Sequence, residues 1–164
     1  MKYWGQKDSK YADCSPRAVA NACRFYGLEC PDPETAAWEE VVDFTGCRHG
    51  AATKDVDRIA EYFGLRATRI AASKVIGQLP ALLTVWNPDV GTSLHCVLVV
   101  GWQDNVATVL NYRVKEGPIV ERLPLRFGRK PPEKVDGAFN RDVHWDAIYI
   151  PPPPNDRCYV LEPR

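Results

Sequence analysis

Asp13-Cys14-Ser15-Pro16-Arg17-Ala18-Val19-Ala20-Asn21 is the stretch on which the reading of this chain turns. A proline two positions after a cysteine, followed by good helix formers, predicts the first turn of an α-helix. Val19, Ala22, Cys23 and Phe25-Tyr26 supply an apolar face and Gly27 a stop, so the helix is expected over 14–26. This sets the Cys14 thiol at a helix N-terminus. Unpaired backbone N–H groups and the helix dipole favour negative charge there, so the thiolate forms more readily and Cys14 is a candidate nucleophile.

Far downstream, Leu94-His95-Cys96-Val97-Leu98-Val99-Val100-Gly101 reads as a buried strand with a histidine at its start. Asn105-Val106-Ala107-Thr108-Val109-Leu110-Asn111 reads as the next strand, ending on an amide, and Asp104-Asn105 makes the two a hairpin. A Cys on a helix tip, a His on one strand and an Asn on the next can act as nucleophile, base and the group that orients the base.

Between these points the periodicity predicts a second helix from Pro33 to Phe44, with Trp38, Val41 and Val42 inward, and a third capped by Thr53 and ended by Gly64. Strands are expected at Leu65–Ile70, Ala81–Trp86, Ile119–Leu123 and Trp145–Ile150. Helices first and strands afterwards argue an α+β domain, with N-terminal helices packed on an antiparallel β-sheet. Residues 124–143 read as irregular, able to form a flap over a cleft. Pro151 to Pro154 read as a stiff spacer, a rigid exit in preference to an SH3-type ligand. The organisation expected is one domain over 1–150 and a Pro-rich tail over 151–164.

These motifs, in this order, resemble the C39-like branch of the papain-like cysteine peptidases. Asp13-Cys14-Ser15-Pro16 is similar to that family's Asp-Cys-Gly-Pro helix start. Leu79-Pro80 followed by His95-Cys96-Val97-Leu98-Val99-Val100-Gly101 resembles its Leu-Pro and His-Phe-Val-Val core. Phe139, Trp145 and Ile148-Tyr149-Ile150 resemble its closing segment. Three positions depart from the pattern. Ser15 stands where glycine is usual, Asn111-Tyr112 replaces Asp-Pro, and Gln6 lies a residue or two further from the cysteine than the usual glutamine. The resemblance implies a papain-like fold and a triad of Cys14, His95 and Asn111. Gln6 and the Cys14 N–H would stabilise the oxyanion.

The composition fits this. The 164 residues carry 21 Lys plus Arg against 21 Asp plus Glu, so the net charge is zero and neither a basic nucleic-acid footprint nor an acidic tail is present. No apolar run approaches a membrane span, and Met1 to Asp8 has no signal-peptide core, so a cytoplasmic protein is expected. The six cysteines then read mostly as small buried apolar side chains. Cys47-Arg48-His49 is a close Cys/His pair outside the candidate triad; with no second pair beside it, no metal and no cofactor are expected.

Each candidate has a plain alternative. Cys14 and His95 can be core residues, Asn111 a turn residue and Gln6 a surface amide. His144 competes with His95 for the role of base, and His49 reads as a surface residue. Trp86 and Trp102 read as core or rim. The expected activity is hydrolysis of a peptide or amide bond in a peptide or protein substrate. The same triad would serve deamidation or acyl transfer, and a catalytically silent peptide-binding module is the alternative from another class.

Overall fold

The computed structural model describes residues 2–48, 55–89, 93–115, 117–128 and 146–164. Three helices, α1 (Cys14–Phe25), α2 (Trp38–Thr45) and α3 (Val56–Tyr62), precede seven strands. These are β1 (Leu65–Ile70), β2 (Ala81–Trp86), β3 (Leu94–Gln103), β4 (Val106–Leu110), β5 (Val120–Phe127), β6 (Ile148–Ile150) and β7 (Cys158–Pro163). All seven lie in one sheet of order β1-β7-β2-β3-β4-β5-β6.

Helix α1 begins where Pro16 predicts. It ends as Gly27 turns left-handed (φ 71°) and the Leu28 N–H reaches back 2.9 Å to the Cys23 carbonyl. The second helix begins later than expected. Asp32 first makes a tight turn, its carboxylate accepting from the Glu34 N–H at 2.8 Å and its carbonyl from the Thr35 N–H at 3.1 Å. The helix starts only at Trp38. Asp55 precedes the third helix, and Thr53, expected as its cap, lies outside the described residues.

Period-2 alternation splits the core between the two faces of the sheet. Leu82, Cys96, Leu98, Leu110 and Leu161 face α1, where Val19, Cys23, Trp38, Val42, Ile59 and Phe63 cover them. Leu83, Val85, Val97, Val99 and Val109 face the other way and pack with Val75, Tyr112, Leu125, Ile148 and Ile150. The sheet curls enough for β6 to contact β2 as well as β5.

Three expectations are corrected. The sheet is mixed, not wholly antiparallel, because β6 runs parallel to β5. Residues 124–127, expected in an irregular flap, extend β5, with Pro124 opposite Val106; Gly128 follows, and the rest of the proposed flap lies outside the described residues. Residues 158–163, expected in a Pro-rich tail, form β7, inserted between β1 and β2 with Leu65 opposite Pro163 and Leu83 opposite Cys158. Cys158 and Leu161 are wholly buried, so burial of this short apolar run overrides the stiff proline spacer before it. Among the described residues no helix is long and apolar enough to cross a membrane.

Candidate active site

The start of α1 is held by a buried charged network. Asp13, completely buried, accepts from Ser9 Oγ at 2.7 Å, Arg17 Nε at 2.8 Å and Trp38 Nε1 at 2.8 Å. Arg17 also donates to the Gly5 carbonyl at 2.7 Å, tying the N-terminal segment to the helix. The carboxylate beside Cys14 is thus neutralised by its own ion pair and fully hydrogen-bonded. One turn further on, Asn21 closes a second clamp. Its Oδ1 accepts from the Trp4 N–H at 2.8 Å and its Nδ2 donates to the Trp4 carbonyl at 3.0 Å. Gln6, two residues from this clamp and 7% exposed, shares a small enclosed pocket with Cys14, Asn21, Cys96 and Asn111.

Cys14 is the first residue of α1 and 8% exposed; His95 is the second residue of β3 and 4% exposed. Each side chain shifts the ionisation of the other. The other contact of the ring fixes its tautomer. His95 Nε2 lies 2.7 Å from the Asn111 carbonyl oxygen. A carbonyl only accepts, so Nε2 carries the proton and Nδ1 is left unprotonated, the nitrogen free to accept from a thiol.

This corrects the expected role of Asn111. Its side chain does not hold the imidazole; Nδ2 donates instead to the Trp4 carbonyl at 3.0 Å. The main chain holds the ring. Asn111, the residue after β4, lies in the left-handed region (φ 57°), a conformation asparagine tolerates better than most residues, and this turns its carbonyl toward His95. The same residue's N–H stays in the sheet, donating to the Ile119 carbonyl at 2.8 Å.

The electrostatics shift both groups toward their charged forms. Burial raises the Cys14 thiol, but the hydrogen bond and charge of His95, then the Cys96 N–H and the Ser15 hydroxyl, outweigh it, and the net direction is below the ordinary value of 9.0. Burial lowers His95, but the Cys14 sulfur, the Asn111 carbonyl and the charge of Asp89 outweigh it, and the net direction is above 6.5. Ser15, 1% exposed, has no well-formed hydrogen bond of its own; the Cys14 and Cys96 sulfurs are the groups beside its Oγ.

Sequence reasoning missed three contributors. Asp89 lies in the loop after β2 and accepts from the Val114 and Lys115 N–H groups at 2.9 and 3.3 Å; an isolated loop aspartate gives no signal. Asn21 was readable only as part of a helix face. Cys96 contributes a backbone group, and its side chain lies on the α1 face of β3, where burial pushes the thiol well up. Cys47 is buried, whereas His49 and His144 lie outside the described residues, as do Phe139 and Trp145. Trp86 and Trp102 border the core of the face opposite α1, as expected.

No family model and no curated protein matches the sequence. Solved structures do match its fold. A double-glycine motif protease from an AMS/PCAT transporter, crystallised with a leader peptide, superposes with a TM-score of 0.58 at 17% identity, over 99% of this chain and 91% of that one. The peptidase domain of Streptococcus ComA, a bifunctional ABC transporter of a quorum-sensing pathway, gives 0.59 at 16% identity, over 93% of each chain. The fold is that of the C39-like, papain-like cysteine peptidase domains.

Proposed function

We propose that this chain is a cysteine-dependent hydrolase of peptide bonds, with Cys14 as nucleophile and His95 as base. The observation that carries the reading is the buried contact between the Cys14 thiol and a His95 ring whose Nε2 is engaged by the Asn111 carbonyl at 2.7 Å. A core cysteine and a core histidine satisfied separately have no need of this relay.

In this reading Nδ1 of His95 takes the thiol proton and Sγ of Cys14 attacks the carbonyl carbon. The resulting oxyanion is stabilised by the Cys14 N–H at the helix start and by the Gln6 amide. His95 then gives its proton to the leaving amine, and a thioester remains. Water, deprotonated by the same nitrogen, hydrolyses it and restores the thiol. Asn111 acts through its main chain, keeping the tautomer that leaves Nδ1 free. Asp89 adds negative charge that favours the imidazolium.

The test is cleavage of a diverse peptide mixture that includes Gly-Gly sequences, read by mass spectrometry as new termini. Wild type should produce them, and Cys14→Ala and His95→Ala should each lose nearly all turnover, since the pair acts as a unit. Deamidation or acyl transfer would appear as mass shifts without new termini. Peptides retained intact and equally by wild type and Cys14→Ala would overturn the reading in favour of a silent binding module.

A further inference from the structure

The cap of α1 brings two cysteines together outside the site just described. Gly27 reverses the chain in the left-handed conformation, with the Leu28 N–H on the Cys23 carbonyl. The returning segment then runs beside the last turns of the helix. Cys30, in that segment, donates its S–H to the Ala20 carbonyl at 3.8 Å, one helical turn before Cys23. Cys23 Sγ lies 3.6 Å from the Phe63 carbonyl, and each of the two thiols shifts the ionisation of the other. Both are free thiols.

We propose that Cys23 and Cys30 form a redox-active dithiol that closes to a disulfide on reaction with a small-molecule disulfide such as oxidised glutathione. The two partners have the unequal character this exchange needs. Cys23 is wholly buried, whereas Cys30 is half-buried on an open hollow with Trp4, Arg24, Leu28 and Asp32. Cys30 therefore meets the oxidant first. The contact with Cys23 pulls the Cys30 thiol down, as does the Arg24 guanidinium, against burial and the Asp32 carboxylate, while Cys23 is pushed up. The Cys30 thiolate attacks one sulfur of the oxidant, forming a mixed disulfide and releasing one thiolate. Cys23 sulfur then attacks Cys30 sulfur and displaces the second thiolate, which takes up the Cys23 proton. Two protein thiols and one small disulfide become one protein disulfide and two small thiols.

The bond would staple the 28–32 loop to α1. Arg24 of that last turn stacks on the Trp4 ring at 3.5 Å, and the Trp4 main chain is what Asn21 and Asn111 hold, so the staple braces the N-terminal segment beside Gln6. The inference does not depend on the role of Cys14.

The experiment equilibrates the full reduced chain in glutathione buffers of increasing oxidised fraction, quenches with acid, blocks free thiols with N-ethylmaleimide and maps tryptic peptides. Cleavage after Arg24 separates the two cysteines, so a disulfide joins two peptides that otherwise run apart. Wild type should show the Cys23–Cys30 linkage as the main product. Cys23→Ser should stop at a Cys30–glutathione mixed disulfide, and Cys30→Ser should leave Cys23 unmodified. The proposal is overturned if wild-type Cys30 stays as a mixed disulfide with Cys23 free. It is equally overturned if Cys30 links to another cysteine, or if both remain thiols in fully oxidised glutathione.

Discussion

Asn111→Gly separates what the main chain of this residue does from what its side chain does. Glycine keeps the carbonyl and adopts φ 57° without strain. It removes only the Nδ2 bond to the Trp4 carbonyl, which Asn21 still satisfies at 3.0 Å. That loss is worth about 1 kcal/mol of stability, or about 2–4 °C in Tm for a domain of this size. A hydrogen bond to a charged partner is worth about 1.5–3 kcal/mol. If the His95 ring lost its acceptor, the reactivity of the Cys14–His95 pair would therefore fall about 10- to 150-fold. The assay needs no substrate: the rate at which limiting iodoacetamide alkylates Cys14 near pH 6, followed by peptide mapping. Asn111→Gly should stay within about threefold of wild type, because the carbonyl persists. Asn111→Ala should fold less stably by about 2–3 kcal/mol, combining the lost bond with the left-handed strain of a Cβ. Slowing of more than about tenfold in a well-folded Asn111→Gly protein would refute the main-chain assignment and restore the side chain as the orienting group.

Turnover should rise with pH as Cys14 ionises, below the ordinary thiol value of 9.0, and fall as the raised His95 loses its proton, above 6.5. In His95→Ala the step in Cys14 alkylation should move to higher pH, and an unmoved step would refute the pairing. Gln6→Ala should cost about 10²–10³ in kcat if its amide meets the oxyanion, yet leave the alkylation rate of Cys14 nearly unchanged; a parallel loss in both would assign Gln6 to holding the thiol. Asp89→Asn should lower the alkaline limb of the turnover profile, since a negative charge near the imidazolium is removed; a profile that stays put would exclude that influence. Ending the chain at Pro154 should abolish the cooperative thermal transition seen by circular dichroism, because Cys158 and Leu161 are wholly buried between β1 and β2; a retained sharp transition would contradict their structural role.

What the sequence made legible follows periodicity and punctuation. Pro16 and Gly27 bracket α1, and the bounds expected for β1 and β2 are those observed. His95 stands at the head of a strand, on the face opposite Cys96, as alternation requires. The identity of the groups that meet there was less legible. That the Asn111 carbonyl and not its amide faces His95 follows from one backbone dihedral, which the residue type permits but does not dictate. β7 was masked by the prolines before it, and its partners in β1 and β2 are far away in sequence. The parallel pairing of β5 with β6 joins strands that residues 128–147 separate in sequence, and such a pairing leaves no local pattern in either strand. Asp32 redirected the chain before α2 through a side-chain bond that competes with the helix signal of Pro33.

The place of β7 has a consequence for how the protein is made. Translation delivers β1 and β2 with a strand-wide gap between them, and the strand that fills it follows only on the order of ten seconds later at about 5–20 residues per second. Throughout that interval Ala81-Leu82-Leu83, the first half of the uncharged β2 run, lacks the partner that Cys158–Val160 provides on one side. Neighbouring nascent chains on a polysome carry the same open edge at the same moment. Ribosome-associated holdases, and the spacing of ribosomes along the message, then bear on the yield of this protein as directly as any side chain in its core.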